Sequence, residues 1–138
     1  MNFLFKHLLA VLIGFNIAAC HYSGDNTDAL LKRAQIVLPS TAEVLEHKVY
    51  VSKDGMEFLK LKMPISSLPA FLEQSDLYSY LNNRTDKGPG RAIFNGILDT
   101  HPEKFRQGQK GFDDGYFLDV LIDEDNNNSI VYLLYFGT

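Results

Sequence analysis

The chain has no tryptophan and a single cysteine, Cys20. One thiol cannot form an intramolecular disulfide, so a cross-linked scaffold is excluded and burial with hydrogen bonding must hold the fold. Histidine is scarce as well, at four residues, of which His7 and His21 lie near the amino terminus. That leaves His47 and His101 for the body of the chain, neither with the closely spaced second ligand by which zinc sites announce themselves. An excess of positive charge is also missing: 13 Lys and Arg stand against 17 Asp and Glu, a formal net charge of −4. Binding to a phosphate backbone depends on clustered Lys and Arg, so the balance argues against nucleic acid as a partner.

Signatures of catalysis are thin. No Gly-x-Ser-x-Gly elbow occurs, and no second cysteine is present to act as a nucleophile. A Ser-His-Asp set converges in space rather than in sequence, so that device stays open. Lys87-Gly88-Pro89-Gly90-Arg91 lacks the Gly-Lys-Ser/Thr ending of a phosphate loop and reads as a turn with two charges.

What the chain does have is the composition of a folding domain. Its 46% hydrophobic and 22% charged residues are far from the apolar-poor, highly charged make-up that cannot offset chain entropy. At 138 residues there is room for one domain and a targeting segment.

The targeting segment is at the start. Residues 1–7 carry Lys6 and no acid, residues 8–15 are an apolar run, and Asn16-Ile17-Ala18-Ala19-Cys20 follows. A basic start, a short apolar core and small residues before a cut are the layout of a secretory signal. The run is too short for a spanning helix, which needs about 20 apolar residues. Ile17-Ala18-Ala19-Cys20 resembles the lipobox of bacterial lipoproteins: an aliphatic residue, two small ones and a cysteine. The resemblance covers only the first 20 residues or so. It implies cleavage before Cys20, a diacylglyceryl group on its thiol, and usually an acylated amine. Two or more acyl chains give a stable anchor where one gives marginal binding. His21 stands where members retained in the inner membrane of enteric-type bacteria commonly have Asp, so the resemblance implies outer-membrane sorting. The expected organisation is a signal peptide over 1–19, a lipidated tether over 20–27 and one domain over 28–138. Removing Lys6 with the signal would take the net charge from −4 to −5.

Along the domain, Thr27 is placed to cap a short helix through Ala34, with Asp28 early and Lys32 and Arg33 late, as the helix dipole favours. Glu43 to Val51 alternates imperfectly, with Leu45, Val49 and Val51 on one side and Glu46, Lys48 and Tyr50 on the other. Ser52-Lys53-Asp54-Gly55 is a turn, after which Leu59, Leu61 and Met63 alternate with Lys60 and Lys62, predicting a hairpin with one wet face. Ser66 or Ser67 is expected to cap the next helix, with Pro69 in its first turn and Leu68, Phe71 and Leu72 on the buried side. From Asn82 to Gly111 turn residues accumulate, and a loop that long suggests function or mobility; Ala92 to Leu98 leaves room within it for a short helix or strand. Tyr116 to Ile122 and Ile130 to Phe136 read as strands, the second apolar on both faces as a central strand would be. The expected fold is α+β: an antiparallel sheet of about four strands, with one or two short helices packed on one face.

Few constellations remain. Asp123, Asp125, Asn127 and Ser129, with Ile130, occupy spacings of positions one, three, five, seven and eight of a calcium loop. Position twelve would be Leu134 rather than Glu and position six is Asn128 rather than Gly, so a hairpin turn is the better account and no metal is expected. Asp113 and Asp114 with Asp119 have the acids for paired-carboxylate chemistry, although the first two read as a turn before a strand. Tyr78, Tyr80, Tyr116, Tyr132 and Tyr135 offer an aromatic surface or, for most of them, core. His101, Asp113, Asp114 and Tyr116 are the candidates for a cleft or partner surface. The leading expectation is a non-catalytic envelope module that binds or inhibits, immunity-like, with the membrane as one partner and a basic envelope protein or toxin as another. It needs no cofactor beyond the lipid on Cys20. The alternatives are a small hydrolase acting on envelope polymer and a structural accessory of an outer-membrane assembly.

Overall fold

The computed structural model describes residues 27–50, 55–82, 105–124 and 127–137. The chain divides into two compact units, Met1–Arg33 and Ala34–Thr138. In the first, residues 27–33 form helix α1, where the sequence places one; Arg33 Nε donates to the Ala29 carbonyl one turn back, at 3.3 Å.

The second unit is built on an antiparallel sheet. Its strands are β1 (Glu43–Tyr50), β2 (Met56–Pro64), β3 (Leu81–Asn82), β4 (Arg106–Gly111), β5 (Tyr116–Glu124) and β6 (Asn128–Gly137), in the order β1-β2-β6-β5-β4-β3. The sheet thus has five long strands and a two-residue sixth, not four. The strand beyond the expected set is β4, which reads Arg-Gln-Gly-Gln-Lys-Gly and carries no apolar alternation. It is a strand because it pairs along its whole length with β5, from Arg106 opposite Ile122 to Gly111 opposite Phe117; tertiary pairing overrides a sequence that reads as loop. β6 is central, flanked by β2 and β5, as its two-sided apolar pattern predicts.

The register sorts side chains onto two faces. Leu59 lies opposite Leu133, itself opposite Val120, and Leu61 opposite Val131, itself opposite Ile122. With Met63 and Leu118 these form an aliphatic face of fully buried residues. Burial of each such side chain contributes about 1.5–3 kcal/mol before entropy is counted.

Helix α2 (Leu68–Gln74) buries Leu68, Phe71 and Leu72, as its spacing predicts, and carries Pro69 in its first turn. Ser67 sits at the N-cap, but its hydroxyl makes no capping bond and instead meets Thr41 Oγ1 at 2.7 Å. The helix ends in a Schellman arrangement: Asp76 takes a left-handed φ of 51°, its N–H donates to the Glu73 carbonyl, and the Leu77 N–H donates to the Leu72 carbonyl at 2.9 Å. Asp stands where glycine is usual because a short polar side chain tolerates that backbone. Ser75 then holds the incoming segment: Val37 N–H donates to Ser75 Oγ at 3.0 Å.

The opposite face differs from the expected wet face. Phe58, Leu121, Tyr132 and Leu134 form a buried cluster with Phe105, rimmed by Tyr50, Met56, Ile130 and Phe136. Lys60 belongs to this face and lays its ammonium over the Tyr132 ring, 5.6 Å from its centroid. A lysine can thus belong to a half-covered surface, its charge held over an aromatic face. In β1 the expected alternation also fails at Leu45. The register slips there, so Val44, opposite Leu61, shares a face with His47 and Val49. Residues 51–54 lie outside the described residues, and Gly55 has the positive φ, 68°, of a turn.

Candidate functional site

Cys20, His101, Asp125 and the stretch 92–98 lie outside the described residues. Of the candidate partner surface, Asp113, Asp114 and Tyr116 are placed. Asp113 and Asp114 are exposed in the turn from β4 to β5, and Asp114 Oδ1 accepts the Tyr116 N–H at 3.2 Å. This is an Asx turn, which sets the first residue of β5. The Phe112 N–H donates to the Tyr116 carbonyl at 2.9 Å, and Gly115, at φ 85°, completes the reversal. The Tyr116 ring stacks on Tyr135 at 5.1 Å between centroids, and Phe112 meets the same Tyr135 edge-on at 5.8 Å. The structure therefore brings two exposed carboxylates and an ordered aromatic tier to one end of the sheet. Tyr132 and Tyr135 belong to the core, whereas Tyr78 is exposed and Tyr80 and Tyr116 are half-buried.

Of the calcium spacing, Asp123, Asn127 and Ser129 are placed. Asp123 pairs with Ile130 and Ser129 with Glu124, adjacent rungs of the β5–β6 ladder. Side chains on adjacent rungs point to opposite faces, so Asp123 and Ser129 lie on opposite sides of the sheet. Ser129 is fully buried, and Asn127 offers its carbonyl to the Ile65 N–H at 3.2 Å. Among the described residues no group of three or more His, Cys, Asp or Glu is disposed to hold a metal. No helix among them is long and apolar enough to cross a membrane.

Asp119 does not join Asp113 and Asp114. It lies three residues beyond Tyr116, about 10 Å along the strand, and is fully buried on the aromatic face opposite Leu134. Gln109, its cross-strand neighbour on β4, donates from Nε2 to Asp119 Oδ1 at 2.7 Å. Asp119 Oδ2 and Gln107 Oε1 are both buried, with no hydrogen-bond partner among the described residues. Burial pushes the Asp119 carboxyl above its ordinary value, and the Gln109 bond offsets part of the rise. The sequence does carry a signal for this group: an acid in mid-run of Leu118-Asp119-Val120-Leu121-Ile122, where period-two reading assigns it to a covered face.

His47 is half-buried on β1 and its Nε2 lies 3.1 Å from Glu57 Oε2 on β2. This is a cross-strand pair on the sheet rather than an isolated imidazole. A buried cation sits at the far end: Lys110 Nζ is 5.7 Å from the ring centroids of both Tyr80 and Phe112 and 3.5 Å from Asp76 Oδ2.

Comparison of the chain with protein-family models, with curated proteins and with solved structures finds no match.

Proposed function

We propose that this chain is a lipid-anchored module of the bacterial envelope, held at the outer membrane through Cys20 and facing the periplasm, and that it works by binding rather than by turnover. The observation that carries the reading is Ile17-Ala18-Ala19-Cys20 at the end of a short apolar core that follows a basic start. The partner we assign is a basic envelope protein, a toxin or hydrolase that the module would neutralise. Support comes from the net charge of −4 and from Asp113 and Asp114, exposed beside the stacked Tyr116 and Tyr135 rings. Acidic charge speeds encounter with a basic surface, and tyrosine supplies contact area at low entropic cost.

Two experiments test the two halves of the reading. Mass spectrometry of the protein from membranes should find Cys20 as the first residue, carrying acyl chains, and Cys20→Ser should release the domain from the membrane fraction. A mature terminus elsewhere, or a bare thiol, would remove the anchor. A photo-crosslinking residue at position 116 in intact envelopes should give one discrete, salt-sensitive protein adduct, lost when Asp113 and Asp114 are both replaced by Lys. An adduct pattern indifferent to salt and to those replacements would remove the basic partner.

A further inference from the structure

We propose that β1 is a self-recognition edge, through which two copies of the chain pair antiparallel with His47 on the two-fold axis.

β1 is the terminal strand of the sheet, paired to β2 on one side, and no strand among the described residues lies beyond it. Three large apolar side chains stand exposed on its eight residues: Val44 at 41%, Leu45 at 42% and Val49 at 61%. Edge strands are templates for another strand, and natural edges carry charges or bulges to discourage indiscriminate pairing. Here both devices are present, the register shift at Leu45 and the charges Glu46 and Lys48. A partner must match them, and the question becomes which sequence does.

The strand matches itself. Its register against β2 puts Glu46, Lys48 and Tyr50 on one face and His47 and Val49 on the other. Residues directly opposite in an antiparallel pair share a face, so a symmetric pair must be centred on a residue rather than between two. Centring on Glu46 sets that acid against its own copy, and centring on Lys48 does the same with two cations; both are unfavourable. Centring on His47 sets Glu46 of each copy against Lys48 of the other, two opposite-charge pairs at once. It also brings Val49 of each copy against the Val44–Leu45 bulge of the other, so the exposed apolar groups cover one another. Within one chain Lys48 Nζ already lies 2.7 Å from Glu46 Oε1, so the two heads occupy one face and need only exchange partners. The second copy is thus the occupant whose charges and irregularity fit.

The test uses the purified full chain in mild detergent. Residues opposite on the axis have Cα atoms about 4.5–5.5 Å apart, within disulfide reach. His47→Cys should therefore give an intermolecular disulfide on mild oxidation, well above the unaltered chain and above Tyr78→Cys, an exposed control. Because His47→Cys also removes the bond to Glu57, a second arm leaves that pair intact. Glu46→Lys alone and Lys48→Glu alone should each weaken self-association by about tenfold or more, since each creates two like-charge pairs. An equimolar mixture of those two variants should form a heterodimer, because like charges of one copy then face opposite charges of the other, and the double swap should restore the homodimer. Sedimentation or light scattering that finds a monomer at high concentration would overturn the proposal. So would single reversals that leave association unchanged, or a disulfide in the His47→Cys variant that forms no faster than in the Tyr78→Cys control.

Discussion

At one end of the sheet an eight-residue strand, β1, stands at the boundary with Val44, Leu45 and Val49 exposed; at the other, β4 is covered by the two-residue β3 and the 3-10 turn Tyr78–Tyr80 before it. The covered end is tightly made. A Cβ at Gly108 would overlap the carbonyl oxygen of Tyr80, so backbone lies on backbone there. Lys110 is buried between the Tyr80 and Phe112 rings and reaches Asp76 just past α2. The polar strand β4, which could not hold itself by apolar burial, is held by close approach, by a caged cation and by the Gln109–Asp119 bond. The β1 end has cross-strand polar contacts to β2 but leaves apolar side chains in water. Among the described residues the two ends are thus made differently, one by close backbone packing and a buried cation, the other with Val44, Leu45 and Val49 exposed.

The contrast is broken most severely at Gly108. Gly108→Val should cost on the order of 3 kcal/mol or more, because the Tyr80 backbone rather than a flexible side-chain tip must move. Denaturant titration checks this, and a loss below about 1 kcal/mol would mean that the covering turn lifts away at little cost. Lys110→Met comes next. It keeps most of the stem's packing and removes the charge from two rings and from Asp76, so about 2 kcal/mol should be lost. Retained stability would show that the lysine's apolar stem, not its charge, closes that end.

Asp119 offers the reverse sign. Its folded carboxyl holds a proton more tightly than the unfolded one, whose ordinary value is 3.8, because burial penalises the charge. Such a group supports the fold fully below the unfolded value, and that support is lost as pH rises through the raised folded one. Asp119→Asn keeps an oxygen for Gln109 Nε2 and removes the charge. The variant should match the unaltered chain below about pH 4 and exceed its stability near neutrality. Thermal melts of both proteins across that range read the difference directly. Equal melting temperatures at neutral pH would show that the unpartnered Oδ2 finds compensation.

These positions also show which parts of the fold sequence reading can reach. Leu59, Leu61 and Met63 alternate cleanly, and Leu68, Phe71 and Leu72 recur at helical spacing; both patterns come from burial on one side, so period identifies them. The paired strands β5 and β6 are readable by a different signal, runs rich in β-branched and aromatic residues covered on both faces, and Asp113-Asp114 as a turn because Asp and Gly favour that backbone. β4 is not, since its strand character resides in its neighbours and Arg-Gln-Gly-Gln-Lys-Gly has no period to read. The bulge at Leu45 is hidden too, because a one-residue slip leaves the letters unchanged while it moves Val44 to the other face. The buried polar group needs two strands at once: Asp119 is conspicuous alone, but Gln109 and Gln107 become its neighbours only through the β4–β5 register. Of the candidate site, Asp114 and Tyr116 come together as neighbours in sequence do, whereas Asp123 and Ser129 separate because spacing in a loop and alternation in a strand obey different rules.

The smallest effect is expected at the β1 end, and it sharpens the comparison most. Val49 is 61% exposed on the terminal strand, so Val49→Thr, which keeps the β-branched shape, should change the stability of the isolated chain by no more than about 0.5 kcal/mol. Urea unfolding in dilute protein, where association is negligible, measures this. The same replacement should weaken association in concentrated protein, because Val49 then faces the Val44–Leu45 bulge of a second copy. A cost above about 1 kcal/mol in the dilute chain would mean that Val49 is already packed within one molecule. The β1 end would then be as closed as the β4 end, and the asymmetry between the two edges would lose its meaning.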